Sequence, residues 1–216
     1  MNYQAVLFDF DYTLGDATDA IVAGYTHGLT ALGWPPPDRE AVRRTVGRTL
    51  EDGYTDLTGD ASQERQGQFR DLFTQVAQPI QAAGTPLCTG APELLRGLNA
   101  LGVPVGVVST KRTQTLDAIF NQHGLREALA LVIGGDQVKA SKPDPEGLFQ
   151  AFERLRQDPG KVLYCGDTVI DAGAARAAGC DFCAVLNGVT PREAFTPFPC
   201  VHTAPNLGEL KIWLGA

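Results

Sequence analysis

The sequence predicts an α/β fold, a doubly wound and mostly parallel sheet with an α-helical segment inserted after its first strand. Three observations carry this. From Thr89 onward, short apolar runs alternate with helix-length amphipathic stretches, the pattern of successive β-α units. Between Asp16 and Gly84 nothing alternates with period two, and apolar residues recur at helical spacing. Ahead of that block stands one apolar run of strand length, Ala5-Val6-Leu7-Phe8, followed by Asp9-Phe10-Asp11-Tyr12-Thr13. The expected division is a core of residues 1–15 and 87–216 and a helical cap of residues 16–86.

In the insertion, Asp16 or Thr18 is expected to cap a helix whose apolar positions are Ala20, Ile21, Tyr25, Leu29 and Leu32. Gly33 and Pro35-Pro36-Pro37 stop it. Further helices are expected over Arg39 to Val46, Leu50 to Leu57 and Ala61 to Ala83, the last presenting Phe69, Leu72, Phe73, Val76 and Ile80 on one side. In the core, Pro92 to Leu101, Thr113 to His123, Pro145 to Leu155, Ala172 to Ala178 and Leu207 to Leu214 read as helices; Gly102, Gly124 and Gly179 close the first, second and fourth. Strands are expected over Val103 to Ser109, Leu129 to Ile133, Val162 to Cys165, Phe182 to Leu186 and Cys200 to Thr203. An insertion that leaves and re-enters beside the first strand is placed to work as a lid, with crossings near Gly15 to Ala17 and Thr85 to Gly90.

Asp9 and Asp11 are one residue apart at a strand end, so their side chains share a face. Two carboxylates about 4 Å apart repel by roughly 4 kcal/mol at an effective dielectric of about 20, so a metal, a proton or a lysine must offset them. Two later stretches end in the same way. Val107-Val108-Ser109-Thr110 brings hydroxyls, and Cys165-Gly166-Asp167-Thr168-Val169-Ile170-Asp171 brings a second aspartate pair. In a parallel α/β sheet the strand C-termini meet at one crevice, so these groups converge on a site.

Composition narrows the function. The chain has 216 residues, 44% hydrophobic and 20% charged, with a formal net charge of −7, which argues against disorder and against nucleic-acid or membrane-surface partners. No apolar run approaches a membrane span and no signal segment precedes the first strand, so a cytoplasmic setting is expected. No obligate protein partner is evident. Cys88, Cys165, Cys180, Cys183 and Cys200 are odd in number and read as small buried hydrophobes rather than a disulfide framework. Cys180-Asp181-Phe182-Cys183 has redox or zinc spacing but no second pair or nearby histidine. His27, His123 and His202 sit in unrelated segments without metal spacing.

Asp9-Phe10-Asp11-Tyr12-Thr13, Ser109, the lysine of Ser141-Lys142-Pro143-Asp144 and Gly166-Asp167-Thr168-Val169-Ile170-Asp171 resemble, in order, the four motifs of the haloacid dehalogenase superfamily. The chain is most similar to the phosphoglycolate phosphatase-like branch, whose helical cap follows the first strand. That resemblance implies a Rossmannoid core and a magnesium-dependent phosphatase acting on a small phosphorylated metabolite. Asp9 would be the nucleophile, forming an aspartyl-phosphate, and Asp11 the acid and base. Asp9, the backbone carbonyl of Asp11, Asp167 and Asp171, the last directly or through water, would hold Mg2+. Ser109, Thr110 and Lys142 would bind the phosphoryl oxygens, with Thr13 and Gly166 in support. A proton on Asp11, the metal and Lys142 would bring the four carboxylates close to neutrality before phosphate arrives.

Tyr12 stands where these relatives have glycine, and Gly15 where they have an apolar residue, which reads as restored flexibility at the hinge. The acid at Asp11 argues against dehalogenase activity, and the absence of lysine from Asp16 to Pro86 excludes the Schiff-base phosphonate hydrolases. Arg48 has two readings: a cap residue gripping a substrate carboxylate or second phosphate, or a solvated arginine beside Arg43 and Arg44. 2-Phosphoglycolate is the substrate implied at family level. Pyrophosphate hydrolysis and sugar-phosphate mutase activity stand as alternatives, with a receiver-like phosphate-binding module as a distant one.

Overall fold

The structure, a computed structural model, describes residues 3–216. In chain order its elements are β1 (Ala5–Phe8), α1 (Thr18–Ala31), α2 (Arg39–Arg43), α3 (Leu50–Thr58), α4 (Gln63–Gly84), α5 (Ala91–Ala100), β2 (Val105–Val108), α6 (Thr113–Gln122), β3 (Leu131–Ile133), α7 (Glu146–Leu155), β4 (Val162–Gly166), α8 (Val169–Ala178), β5 (Asp181–Val185), β6 (Cys200–Ala204) and α9 (Leu207–Leu214). Short 3-10 turns link several of them. The chain divides into two compact units, one of Ala17–Thr85 and one of the chain up to Asp16 together with Pro86–Ala216.

The second unit is built on a six-stranded sheet of order β3-β2-β1-β4-β5-β6, parallel at every pairing. Chain order departs from β1 in both directions, and at such a switch point the crevice lies outside the carboxyl ends of the strands. Both faces are covered. Val6, Phe8, Leu94, Leu98, Val107 and Phe120 pack on one side, and Leu7, Val108, Leu148, Tyr164 and Ala175 on the other. Two-sided burial is why the strands read as unbroken apolar runs.

The Ala17–Thr85 unit holds α1 to α4 around Ile21, Tyr25, Leu29, Tyr54, Phe69 and Phe73. Tyr25 lies 5.0 Å from the Phe69 ring and 5.5 Å from Phe73, the latter edge to face. Ile80, expected on the packed side of α4, is 44% exposed. Burial on that helix follows Phe69, Phe73, Ala77 and Gln81 instead.

Several boundaries move for local reasons. The capping position of α1 is Ala17, not Asp16 or Thr18, and the Asp16 N–H donates to the Pro86 carbonyl at 2.9 Å. α2 stops at Arg43 instead of Val46, because the Thr45 hydroxyl donates to the Val42 carbonyl at 2.8 Å and Gly47 turns left-handed at φ 92°. α8 begins at Val169, three residues before the expected Ala172, because Thr168 and Asp171 form a reciprocal capping box. Gly15 bridges Asp11 and Leu87, and a Cβ there would run into the Phe10 ring, so close packing calls for glycine at this position. All five cysteines are free thiols. Among the described residues no helix is long and apolar enough to cross a membrane.

Candidate active site

The register of the sheet assembles the site. Phe8 pairs with Val107 on one side and Cys165 on the other, so the residues just past β1, β2 and β4 emerge at one edge. Asp9 is 1% exposed, and its backbone N–H still donates to the Cys165 carbonyl at 2.9 Å. Asp9, Asp167 and Asp171 are all buried, each with a carboxylate oxygen within 4.8 Å of the others'. Thr13 ties the β1 loop to β4: its hydroxyl donates to Asp167 Oδ1 at 3.2 Å.

Lys142 sits among these acids. Its ammonium lies 2.6 Å from Asp171 Oδ1 and 2.9 Å from Asp9 Oδ1, and it donates to the Tyr164 oxygen at 3.1 Å. The Tyr164 hydroxyl in turn lies 2.9 Å from the Val108 carbonyl and 3.1 Å from Asp171 Oδ1, with one proton to donate. Asp171 Oδ2 accepts from the Thr168 N–H at 3.1 Å and from its hydroxyl at 2.6 Å. Both Asp171 oxygens are thus engaged, so this aspartate orients Lys142 and caps α8. A close approach fits Gly166 here, since a Cβ would fall 2.6 Å from that of Asp171.

Among the described residues, three buried side-chain oxygens have no hydrogen-bond donor: Asp9 Oδ1, Asp11 Oδ1 and Asp167 Oδ2. Asp9 Oδ1 faces the Lys142 ammonium at 2.9 Å, a charge contact. Burial pushes Asp9 up to about 6, Lys142 opposes it, and Asp171 and Asp11 add to it. Burial, with Asp171 and Asp9 nearby, also holds Asp167 well above the ordinary carboxylate range. Burial would lower Lys142, but Asp171 and Asp9 outweigh it and raise the ammonium above its usual value. Burial first, then the same two acids, keeps Tyr164 a neutral phenol. Desolvated carboxylates with donorless oxygens are the setting a hard divalent cation relieves, and their all-oxygen chemistry fits magnesium.

Ser109, Thr110 and Lys142 line one cleft at the end of β2. Ser109 is buried, and its Oγ accepts from the Lys111 N–H at 3.4 Å. Tyr12 is buried with φ 56°, the left-handed conformation that glycine adopts without strain. Arg48 belongs to the Ala17–Thr85 unit, where its guanidinium pairs with Asp56 at 2.9 Å and both side chains are nearly half exposed.

A profile of haloacid dehalogenase-like hydrolases matches residues 6–185. The chain belongs to this family. It is 34% identical over 189 residues to an N-acetylmuramic acid 6-phosphate phosphatase of Pseudomonas putida, covering 87% of this chain and 85% of that one. It is 30% identical over 216 residues to a phosphoglycolate phosphatase of Salmonella choleraesuis, covering 89% and 85%. A crystal structure of a haloacid dehalogenase-like hydrolase from Bacteroides fragilis superposes with TM-score 0.93 at 35% identity, over 96% of this chain and 99% of that one. Membership and these relatives make the protein an enzyme, a phosphoric monoester hydrolase.

Within this hydrolase, sequence reasoning passed over Lys111, Tyr164, Asn187 and Gly188. Lys111 pairs with Asp11 Oδ2 at 3.1 Å, the two side chains 7% and 10% exposed. Asn187 Nδ2 donates to the Thr13 carbonyl at 3.3 Å, and a Cβ on Gly188 would run into Asp167 Oδ2. Lys111 adjoins Ser109 and Thr110 in sequence, which was the available signal. Asn187 and Gly188 follow β5 as Ser109 follows β2, at the same sheet edge.

Proposed function

We propose that the enzyme is a magnesium-dependent phosphatase of a small phosphomonoester, working through an aspartyl-phosphate on Asp9. The observation that carries this is the buried cluster of Asp9, Asp167 and Lys142 with its two donorless carboxylate oxygens. Asp9, Asp167 and the Asp11 carbonyl would hold the metal, with Asp171 behind them through Lys142. Magnesium, when bound, neutralises carboxylate and phosphoryl charge. An Asp9 oxygen forms the new bond to phosphorus as the ester P–O bond breaks, and Asp11 gives its proton to the departing oxygen. Asp11 then takes a proton from the attacking water, and phosphate leaves Asp9. Ser109, Thr110 and Lys142 bind the phosphoryl oxygens, and Thr13 steadies the loop.

The Ala17–Thr85 unit serves as the cap in this reading, with Arg48 as its substrate contact. The relatives' names, phosphoglycolate and N-acetylmuramic acid 6-phosphate, both denote phosphate esters of acids, and 2-phosphoglycolate is the proposed substrate. Five free thiols support a cytoplasmic setting. The test is phosphate release with and without magnesium across 2-phosphoglycolate, pyrophosphate, nucleoside monophosphates and hexose phosphates. Magnesium-dependent release led by 2-phosphoglycolate is expected; magnesium-independent release, or none, would overturn the reading.

A further inference from the structure

The proposed chemistry uses one buried lysine, and the site holds two. Lys142 lies against Asp9 and Asp171, on the side where the phosphoryl group is bound. Lys111 lies against Asp11 Oδ2 at 3.1 Å, on the side where the ester oxygen departs, and its ammonium sits 5.7 Å from the centre of the Phe10 ring. Its backbone is pinned at both ends: the N–H donates to Ser109 Oγ at 3.4 Å, and the carbonyl accepts from the Gly135 N–H at 3.0 Å. The backbone of Lys111 is therefore held, and its four-carbon stem carries the ammonium to Asp11.

We propose that Lys111 is a specificity-determining residue that reads a second anionic group, a carboxylate, on the leaving-group side of the substrate. The inference rests on the phosphatase reading above. Asp11 must come within about 3 Å of the ester oxygen to protonate it. The Lys111 ammonium is already 3.1 Å from that carboxylate, so an anion one carbon beyond the ester oxygen falls within its reach. An incoming carboxylate exchanges with Asp11 for the ammonium, and Lys111 stays paired throughout. A neutral leaving group offers no carboxylate to exchange for Asp11, so Lys111 remains on Asp11 and competes with the ester oxygen for it.

The test compares kcat/KM for 2-phosphoglycolate and its neutral amide, phosphoglycolamide, with p-nitrophenyl phosphate as reference. The wild-type enzyme is expected to favour the carboxylate. Lys111→Met should shrink that preference by roughly 10- to 100-fold, the scale of one charge-assisted hydrogen bond, and Lys111→Arg should keep most of it. Equal losses on both esters in Lys111→Met would reduce Lys111 to a positioning residue for Asp11 and overturn the proposal. A wild-type ratio near one would also overturn it, whether or not the variant folds, while leaving the phosphatase reading intact if p-nitrophenyl phosphate is hydrolysed. Release from none of the three by the wild-type enzyme would bring down both.

Discussion

At the scale of single residues, the site concentrates charge that the fold itself does not need. Asp9 is buried with one donorless oxygen and is pushed up to about 6, so its carboxylate is a burden on the metal-free protein at neutral pH. Asp9→Asn is therefore expected to lose phosphate release by roughly 10³-fold or more while its thermal midpoint stays level or rises; a kinetic assay and a melting curve check both halves. Lys142 is the opposite case. Its ammonium stands between Asp9 and Asp171, and Lys142→Met would take away the cation that these two buried acids share. Removing one partner of a buried pair typically costs about 3–5 kcal/mol, so this variant should unfold at markedly lower denaturant concentration than Asp9→Asn. Tyr12 adds a third kind of residue. It holds a left-handed φ of 56° that costs a non-glycine residue on the order of 1–2 kcal/mol, and such outliers gather at functional sites.

At the scale of elements, the proposed catalytic groups are held by the ends of helices and strands. The capping box of α8 fixes Asp171, which fixes Lys142, so a helix terminus reaches the proposed phosphate pocket through two hydrogen-bonded steps. Thr168→Val should cost about 1 kcal/mol of stability and also lower turnover, whereas a purely capping role would leave turnover unchanged. The loop after β5 acts on the other acid. Gly188→Ala would drive a Cβ into Asp167 Oδ2, and the magnesium concentration for half-maximal activity should rise roughly tenfold or more. Much of this was legible in the chain. Strand ends carrying Asp9, Ser109 and Asp167 announce themselves because a parallel sheet gathers its carboxyl ends. Asp171 was legible as an acid but not as an anchor, since its role depends on Thr168 and Tyr164 reaching it in space. Lys111 was signalled only by its adjacency to Ser109 and Thr110, and Gly188 was not legible as a site residue, because adjacency across β1, β4 and β5 follows from strand order, which local patterns do not encode. Helix ends shifted wherever a side chain such as Thr45 or Thr168 claimed a backbone partner.

At the scale of the whole molecule, the acid cluster ties stability to pH and, on the proposed reading, to metal. A carboxyl whose pKa is higher folded than unfolded binds its proton more tightly in the native state. Its contribution to stability is full below the unfolded value near 4 and is lost as pH rises through the folded value. Asp9, raised to about 6, and Asp167, raised in the same direction, therefore weaken the metal-free fold between about pH 4 and neutrality. A divalent cation that binds only the folded, ionised cluster restores what ionisation removes. At pH 7.5 and about 100-fold excess over its dissociation constant, magnesium should raise the melting midpoint by roughly 5–10 °C for a chain of this size. The increment should shrink as pH falls through 6, because protons then compete for the same oxygens. In Asp167→Asn it should be small at every pH. Melting curves across pH 5 to 8, with and without magnesium, decide the matter: an increment independent of pH, or one undiminished in Asp167→Asn, would place the stabilising cation somewhere other than these carboxylates.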